Sequence, residues 1–158
     1  MRLDSAGGMV QTGYIVLLSM ALLVLSVVGF LISSYFTAVS LRWIEPEAAW
    51  IPRFCRLGRQ TCATLVFTPR ARLLGVPNSV LGQVFYLAIM AGLLEEGLLA
   101  PPFIFLYLGA SFLTVLMGLF LTCSLIFVTR VPCKLCFTSH ALNLVIFLLL
   151  TGCLLAGN

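Results

Sequence analysis

Long apolar stretches constrain the fold of this chain more than any other feature of its sequence. They lie at about residues 14–35, 80–99, 103–128 and 133–156. Because roughly 20 apolar residues in a helix span the hydrocarbon core of a bilayer, each stretch predicts a transmembrane helix. With 61% hydrophobic and 9% charged residues, the chain has too much apolar surface for a soluble domain. We expect an all-α, multi-pass bundle of four transmembrane helices, with residues 1–158 as one domain.

The first apolar stretch has a second interpretation, because a secretory signal peptide also contains an apolar segment. The apolar core of a signal peptide has only about 7–15 residues and precedes small residues at a cleavage site. Residues 14–35 form a longer run without such a site, so we favour a membrane helix.

Residues 36–79 form a polar connection between the first two predicted helices. The connection carries both tryptophans, Trp43 and Trp50, together with several arginines and prolines. Tryptophan and arginine together are typical of the lipid headgroup region, and a loop of this length is usually functional or disordered. We expect short, partly helical pieces that lie on the membrane surface. The net charge of +4 is too small to indicate a nucleic-acid partner.

A Cys-x-x-Cys motif, Cys133 to Cys136, stands at the start of the last apolar stretch. Pro132 suits the first turn of a helix, so both thiols are expected in that turn. Residues three apart share one helix face, so the two sulfurs can meet. The helix N-terminus and Lys134 favour a thiolate, which is the reactive form of cysteine. The motif therefore predicts redox chemistry at the membrane surface.

A second cysteine pair, Cys55 and Cys62, lies in the long connection. Four spans would place this pair and the turn before Cys133 on the same side of the membrane. Two pairs on one side indicate a relay: the loop pair exchanges with thiols of a partner, and the helix pair passes electrons onward. Mobility of the loop would carry one pair to the other. A lipid-soluble quinone is the natural two-electron acceptor in a membrane.

Candidate ligands for a quinone follow the motif. Quinone carbonyls become negative on reduction, so their site should provide hydrogen-bond donors. His140 and Asn143 lie one and two turns beyond Cys136 on the same face, and Asn78 stands at the start of the second helix. An ionisable side chain such as His140 at this depth is costly and tends to be functional. Asn78 has an alternative role as the N-cap of the second helix.

Other roles for the cysteines stay open. The two pairs together could bind structural zinc in a non-enzymatic membrane protein, although zinc sites usually use more tightly spaced cysteines than Cys55 and Cys62. Both pairs could also be structural disulfides, but a Cys-x-x-Cys bridge closes a very small loop and adds little stability. Cys123 and Cys153 lie inside apolar stretches and are expected to be small core residues.

The motifs and their order resemble the vitamin K epoxide reductase family of membrane thiol oxidoreductases. The resemblance covers about residues 54–147 and rests on CRLGRQTC at 55–62, GVPNSVLGQVFY at 75–86 and CKLCFTSHALN at 133–143. A different family of quinone-linked membrane proteins, which reoxidises periplasmic thioredoxin-like oxidases, places its Cys-x-x-Cys in the first loop. That family is therefore a weaker match.

The resemblance implies a helical bundle around a quinone of the menaquinone or ubiquinone type. Cys133 and Cys136 resemble the redox-active pair, with Cys136 nearest the quinone. Cys55 and Cys62 resemble the shuttle pair, with Cys62 exchanging with Cys133. By the same motifs, Asn78 would hydrogen-bond the quinone carbonyl.

Three further features follow from the resemblance. Phe85 matches an aromatic residue of the pocket wall. His140 stands where animal members typically have a tyrosine, and the spacing between Cys55 and Cys62 is one residue shorter than in vertebrate members. Because the sequence ends soon after the fourth predicted helix, we expect a prokaryotic member without a fused thioredoxin-like domain. Its electron donor would be a separate thioredoxin-like protein.

The basic residues predict which side of the membrane carries the cysteines. Arg2 lies on the side opposite to them, and the other basic residues lie on the cysteine side: Arg42, Arg53, Arg56, Arg59, Arg70, Arg72, Arg130 and Lys134. Because Lys and Arg mark cytoplasmic loops, the cysteines are predicted in the cytoplasm. The alternative is the extracytoplasmic side, as in most family members. Cytoplasmic disulfides are common in hyperthermophiles, so we expect an inverted member in a thermophilic cell.

Overall fold

The computed structural model is all-helical apart from one small hairpin, and it describes residues 4–45, 72–73, 75–95, 98, 100, 102–129 and 133–157. Its helices are α1 (Asp4–Ser40), α2 (Asn78–Leu94), α3 (Phe103–Cys123) and α4 (Lys134–Gly157). A π-helical segment, Ser124–Thr129, continues α3. The antiparallel strands β1 (Arg72–Leu73) and β2 (Val76–Pro77) precede α2. The predictions for residues 46–71, including Cys55, Cys62 and Trp50, lie outside the described residues.

Three of the described helices are long and apolar enough to cross a membrane. These segments are Gly13–Ser40, Phe103–Val128 and Lys134–Leu155, with hydropathies of 3.0, 2.3 and 1.8. At most 22% of each apolar window is buried inside the protein, so most of its side chains face outward, as they do in lipid. The helix α2 is also apolar but has only 17 residues, near the lower limit for a span. The described helices thus comprise three candidate spans and one shorter apolar helix.

The first helix is longer at both ends than the predicted stretch of residues 14–35. Its C-terminal end is a Schellman motif, in which Arg42 adopts the left-handed conformation with φ of 60°. The N–H of Trp43 donates to the carbonyl of Ala38 at 2.8 Å, and the N–H of Arg42 donates to Val39 at 3.0 Å. The helix continues to Ser40, and this last part is stabilised by burial of Phe36 and Val39. The mixed polarity of residues 36–40 does not indicate this burial.

The second helix begins and ends earlier than the predicted residues 80–99. Pro77 occupies its N-cap position with φ of −57° and ψ of 133°, and no side chain caps the helix. Asn78 is the first helical residue, so its predicted alternative role as N-cap is wrong. The helix ends at Leu94, and the N–H of Leu98 then donates to the carbonyl of Gly92 at 3.0 Å.

Polar side chains join the C-terminal end of α1 to the start of α2. The amide of Gln83 donates to the hydroxyl of Ser34 at 2.9 Å, and the hydroxyl of Thr37 donates to Ser79 at 3.0 Å. Interhelical hydrogen bonds of this kind contribute about 0.6 kcal/mol each in membrane proteins. These bonds hold the end of α1 and the start of α2 side by side, on either side of the long connection.

The helix α1 packs along α2 and α4, α4 also packs along α3, and α2 contacts α3. One buried cluster joins all four helices and includes Leu22, Tyr86, Ile89, Ile104, Ile146 and Leu150. A second cluster joins Phe36 and Val39 of α1 to Cys133 before α4. The end of α1, the start of α2 and the start of α4 therefore lie at the same end of the molecule.

Candidate redox site

The cysteine motif lies at the start of α4, against the end of α1. The carbonyl of Cys133 accepts the N–H of Phe137 at 3.1 Å, so Cys133 stands at the N-cap position and Cys136 in the first turn. The prediction that both thiols lie in the first turn is correct for Cys136, whereas Cys133 lies one residue before that turn. Cys133 is fully buried against Phe36 and Val39, whereas Cys136 is half-buried.

The imidazole of His140 lies one turn beyond Cys136 on the same face of α4. It packs on Gly118 of α3: a Cβ atom at Gly118 would lie 3.0 Å from Nδ1 of His140. Glycine at this position is what allows α3 to approach the ring. Nδ1 of His140 is buried and has no hydrogen-bond partner among the described residues. An unsatisfied ring nitrogen inside an apolar span is costly, which favours a ligand role for this side chain.

A groove of about 240 Å³ opens beside His140, between α3 and α4. Its walls are apolar except for the imidazole and one hydroxyl, and they are formed by Val115, Gly118, Leu119, Thr122, Phe137, His140, Ala141 and Leu144. A protein cavity of about 150 Å³ holds benzene, so this groove is large enough for a substituted ring. Cys136, the residue before Phe137, does not line the groove and packs against the cluster of Phe36, Val39 and Cys133.

The predicted ligands on α2 do not line this groove. Asn78 is half-buried at the first position of α2, at the same end of the molecule as Cys133. Phe85 is buried two turns further on, with its ring centroid 5.5 Å from that of Tyr86. Cys136 and His140 therefore lie one turn apart on α4, whereas Asn78 and Phe85 lie on α2 and do not line the groove.

Sequence reasoning missed a polar contact between α2 and α4. The hydroxyl of Tyr86 donates to Oδ1 of Asn143 at 2.6 Å. Asn143 was expected as a candidate donor, but Tyr86 was not. A signal was present, because polar groups inside two apolar stretches tend to pair with one another in a membrane.

The structure also bears on the other predictions about cysteines. Cys153 is buried in the main core cluster, as expected for a small core residue, whereas Cys123 is exposed on the outer face of α3. Within the described ranges, no group of three or more His, Cys, Asp or Glu side chains could hold a metal ion. The alternative of a zinc site needs Cys55 and Cys62 as well, so it stays untested.

These features define a helical membrane protein in which a Cys-x-x-Cys motif opens a helix that also forms one wall of an apolar groove. The sequence matches the family model described as the vitamin K epoxide reductase family over residues 20–151, and the chain belongs to this family. Among curated proteins, none matches the chain significantly. Membership extends the resemblance into α1 and indicates a membrane redox function, since the family consists of oxidoreductases.

Proposed function

We propose that this protein is a quinone-dependent thiol–disulfide oxidoreductase that supports disulfide bond formation. The observation that carries the proposal is that Cys136 lies in the first turn of α4, one turn before His140, whose buried imidazole nitrogen belongs to a groove between α3 and α4. Family members use quinones in general. The groove fits a quinone because its apolar walls suit a ring and His140 offers a polar atom to a carbonyl.

The proposed reaction has three exchanges, each of which moves two electrons and two protons. A reduced thioredoxin-like protein, as a separate partner, gives its dithiol electrons to the Cys55–Cys62 disulfide and becomes oxidised. Cys62 then attacks the Cys133–Cys136 disulfide at Cys133, so the loop pair is oxidised again and the helix pair is reduced. Cys133 and Cys136 finally reform their disulfide while a quinone takes up two electrons and two protons as quinol.

The residues around Cys133 and Cys136 would have different roles in this reaction. Cys136, half-exposed in the first turn, faces the quinone, while Cys133 is enclosed by α1 and receives the loop thiol. The N-terminus of α4 stabilises the thiolate of this pair. His140 would hydrogen-bond one quinone carbonyl from the groove. By the family resemblance, Asn78 would hydrogen-bond the other carbonyl from outside the groove, with Phe85 as the wall behind Asn78. The quinone supplies the oxidising equivalents and remains in the bilayer.

Replacing Asn78 by alanine is expected to weaken quinone binding. Because Asn78 does not cap α2, its loss removes no helix cap. Loss of one hydrogen bond to a carbonyl corresponds to an increase in the quinone KM of about five- to tenfold. The measurement is the rate of quinol formation with dithiothreitol as reductant, at a series of quinone concentrations.

The matched control for this variant is Gln83→Ala, which removes another side-chain amide from α2. Gln83 bonds to Ser34 of α1, so its loss should lower the thermal stability without raising the quinone KM. An unchanged KM in Asn78→Ala would remove Asn78 from the proposed site.

We further propose that the cysteine end of the molecule faces the cytoplasm. Arg42 and Trp43 are exposed at the end of α1, and Lys134 is exposed at the start of α4. These groups suit the cytoplasmic headgroup region by the positive-inside rule. Thiol labelling on intact cells with a membrane-impermeant maleimide tests the orientation. Labelling of each variant is compared with that of the unmodified protein. We expect extra labelling of Glu95→Cys in intact cells, and extra labelling of Trp43→Cys only after permeabilisation. The reverse pattern would show the extracytoplasmic orientation.

A further inference from the structure

The side chain of Tyr86 lies where α1, α2 and α4 meet. It is 1% exposed, and its ring lies directly against Gly29 of α1. A Cβ atom at Gly29 would lie within 2.8 Å of three ring carbons. The hydroxyl reaches α4, where it donates to Oδ1 of Asn143. Both the plane of the ring and the position of the hydroxyl are therefore fixed by neighbouring helices.

The hydrogen bond of Tyr86 determines which way the Asn143 amide faces. A phenol has a single O–H donor, and Tyr86 uses it for Oδ1 of Asn143. This bond places the oxygen of the amide towards Tyr86. The NH₂ group of Asn143 points the other way, and the described residues provide it with no acceptor. Asn143 consequently has two N–H donors to offer to a ligand.

The position of Asn143 on α4 suggests what that ligand is. Asn143 lies two turns beyond Cys136 and almost one turn beyond His140, on the face of α4 that carries both. A ligand that meets this face needs an acceptor atom, and an acceptor that gains negative charge during the reaction strengthens the bond. A quinone carbonyl has both properties, whereas a lipid acyl chain has neither.

We propose that Tyr86 is a positioning residue, which orients the Asn143 amide so that its N–H groups donate to a carbonyl of the bound quinone. This inference rests on the proposed function and adds two residues to it. Tyr86 itself touches no reacting atom and acts through Asn143.

Tyr86→Phe tests the role of the hydroxyl because it keeps the ring against Gly29. Without the bond, the amide of Asn143 loses its fixed orientation, and we expect the KM for a short-chain ubiquinone to rise about five- to tenfold. The reaction of dithiothreitol with the protein disulfides in the absence of quinone should keep its wild-type rate. Both rates are measured on the full-length protein in detergent.

The control is Tyr107→Phe, which removes a tyrosine hydroxyl that donates to the carbonyl of Ala88 at 3.1 Å between α3 and α2. Its thermal stability should fall as in Tyr86→Phe, but its quinone KM should stay at the wild-type value. Equal KM values for the two variants would overturn the inference.

A double variant separates positioning from a direct contact. Asn143→Ala should raise the KM at least as much as Tyr86→Phe, and adding Tyr86→Phe should change it no further, because Tyr86 acts through Asn143. A further increase in the double variant would contradict the inference. The Kd of the wild-type protein for the same quinone is measured by quenching of tryptophan fluorescence. If the protein binds the quinone but does not reduce it, the proposed function is contradicted, whereas the inference about Tyr86 is not.

Discussion

Replacing Cys136 by serine is expected to abolish electron transfer from thiols to quinone. Serine keeps the size and the helix turn but cannot form the disulfide with Cys133, so the helix pair has no oxidised state to regenerate. The rate of quinol formation with dithiothreitol should fall by at least about 10³-fold, as for removal of an attacking group in other enzymes. The fold should survive, since Cys136 is only half-buried.

Cys123→Ser is the control for the loss of a thiol. Cys123 is exposed and does not line the groove, so its replacement should leave the rate of quinol formation unchanged. Circular dichroism and thermal unfolding of both variants check that the helices are intact. Normal turnover in Cys136→Ser would show that another thiol reduces the quinone and would contradict the role of the motif.

Gly29→Ala is expected to produce the largest loss of stability of any single change considered for the bundle. A methyl group at Gly29 would lie within 2.8 Å of three carbons of the Tyr86 ring. The ring cannot move aside easily, because its hydroxyl is held at 2.6 Å by Asn143. Overpacking of a rigid core costs about 1–3 kcal/mol, and we expect a value near the upper end. Thermal unfolding in detergent, followed by circular dichroism, measures the loss.

Gly109→Ala is the matched control, because it adds the same methyl group in α3 at a position with no neighbour within 4 Å. Alanine is favoured over glycine within a helix by about 0.5–1 kcal/mol, so this variant should be as stable as the wild type or slightly more so. Equal stability of Gly29→Ala and Gly109→Ala would contradict the close packing of α1 on Tyr86.

The positions of the four helices could be predicted from the apolar stretches, but their ends could not. A stretch of apolar residues shows where lipid faces the chain, whereas the ends depend on local hydrogen bonds. The first helix ends in a Schellman motif with Arg42 in place of the usual glycine, so the sequence carries no stop signal there. At α2, the preference of asparagine for the N-cap indicated Asn78, but Pro77 takes this position.

The candidate site could be predicted only where its residues lie on one helix. Cys136, His140 and Asn143 share a face of α4, which their spacing already indicates. The contact of His140 with Gly118 and the bond between Tyr86 and Asn143 join different helices, and one sequence does not determine which helices are neighbours. The same reason explains why Asn78 and Phe85, predicted for the same quinone site, lie apart from the groove beside His140.

The most direct test of the account is a single turnover of the fully reduced protein with a quinone, without any other reductant and without oxygen. We expect quinol to form together with a disulfide between Cys133 and Cys136, in equal amounts, as measured by quinone absorbance and by mass spectrometry of the trapped thiols. Formation of no quinol above a blank without protein, or of quinol while Cys133 and Cys136 both remain reduced, would contradict it.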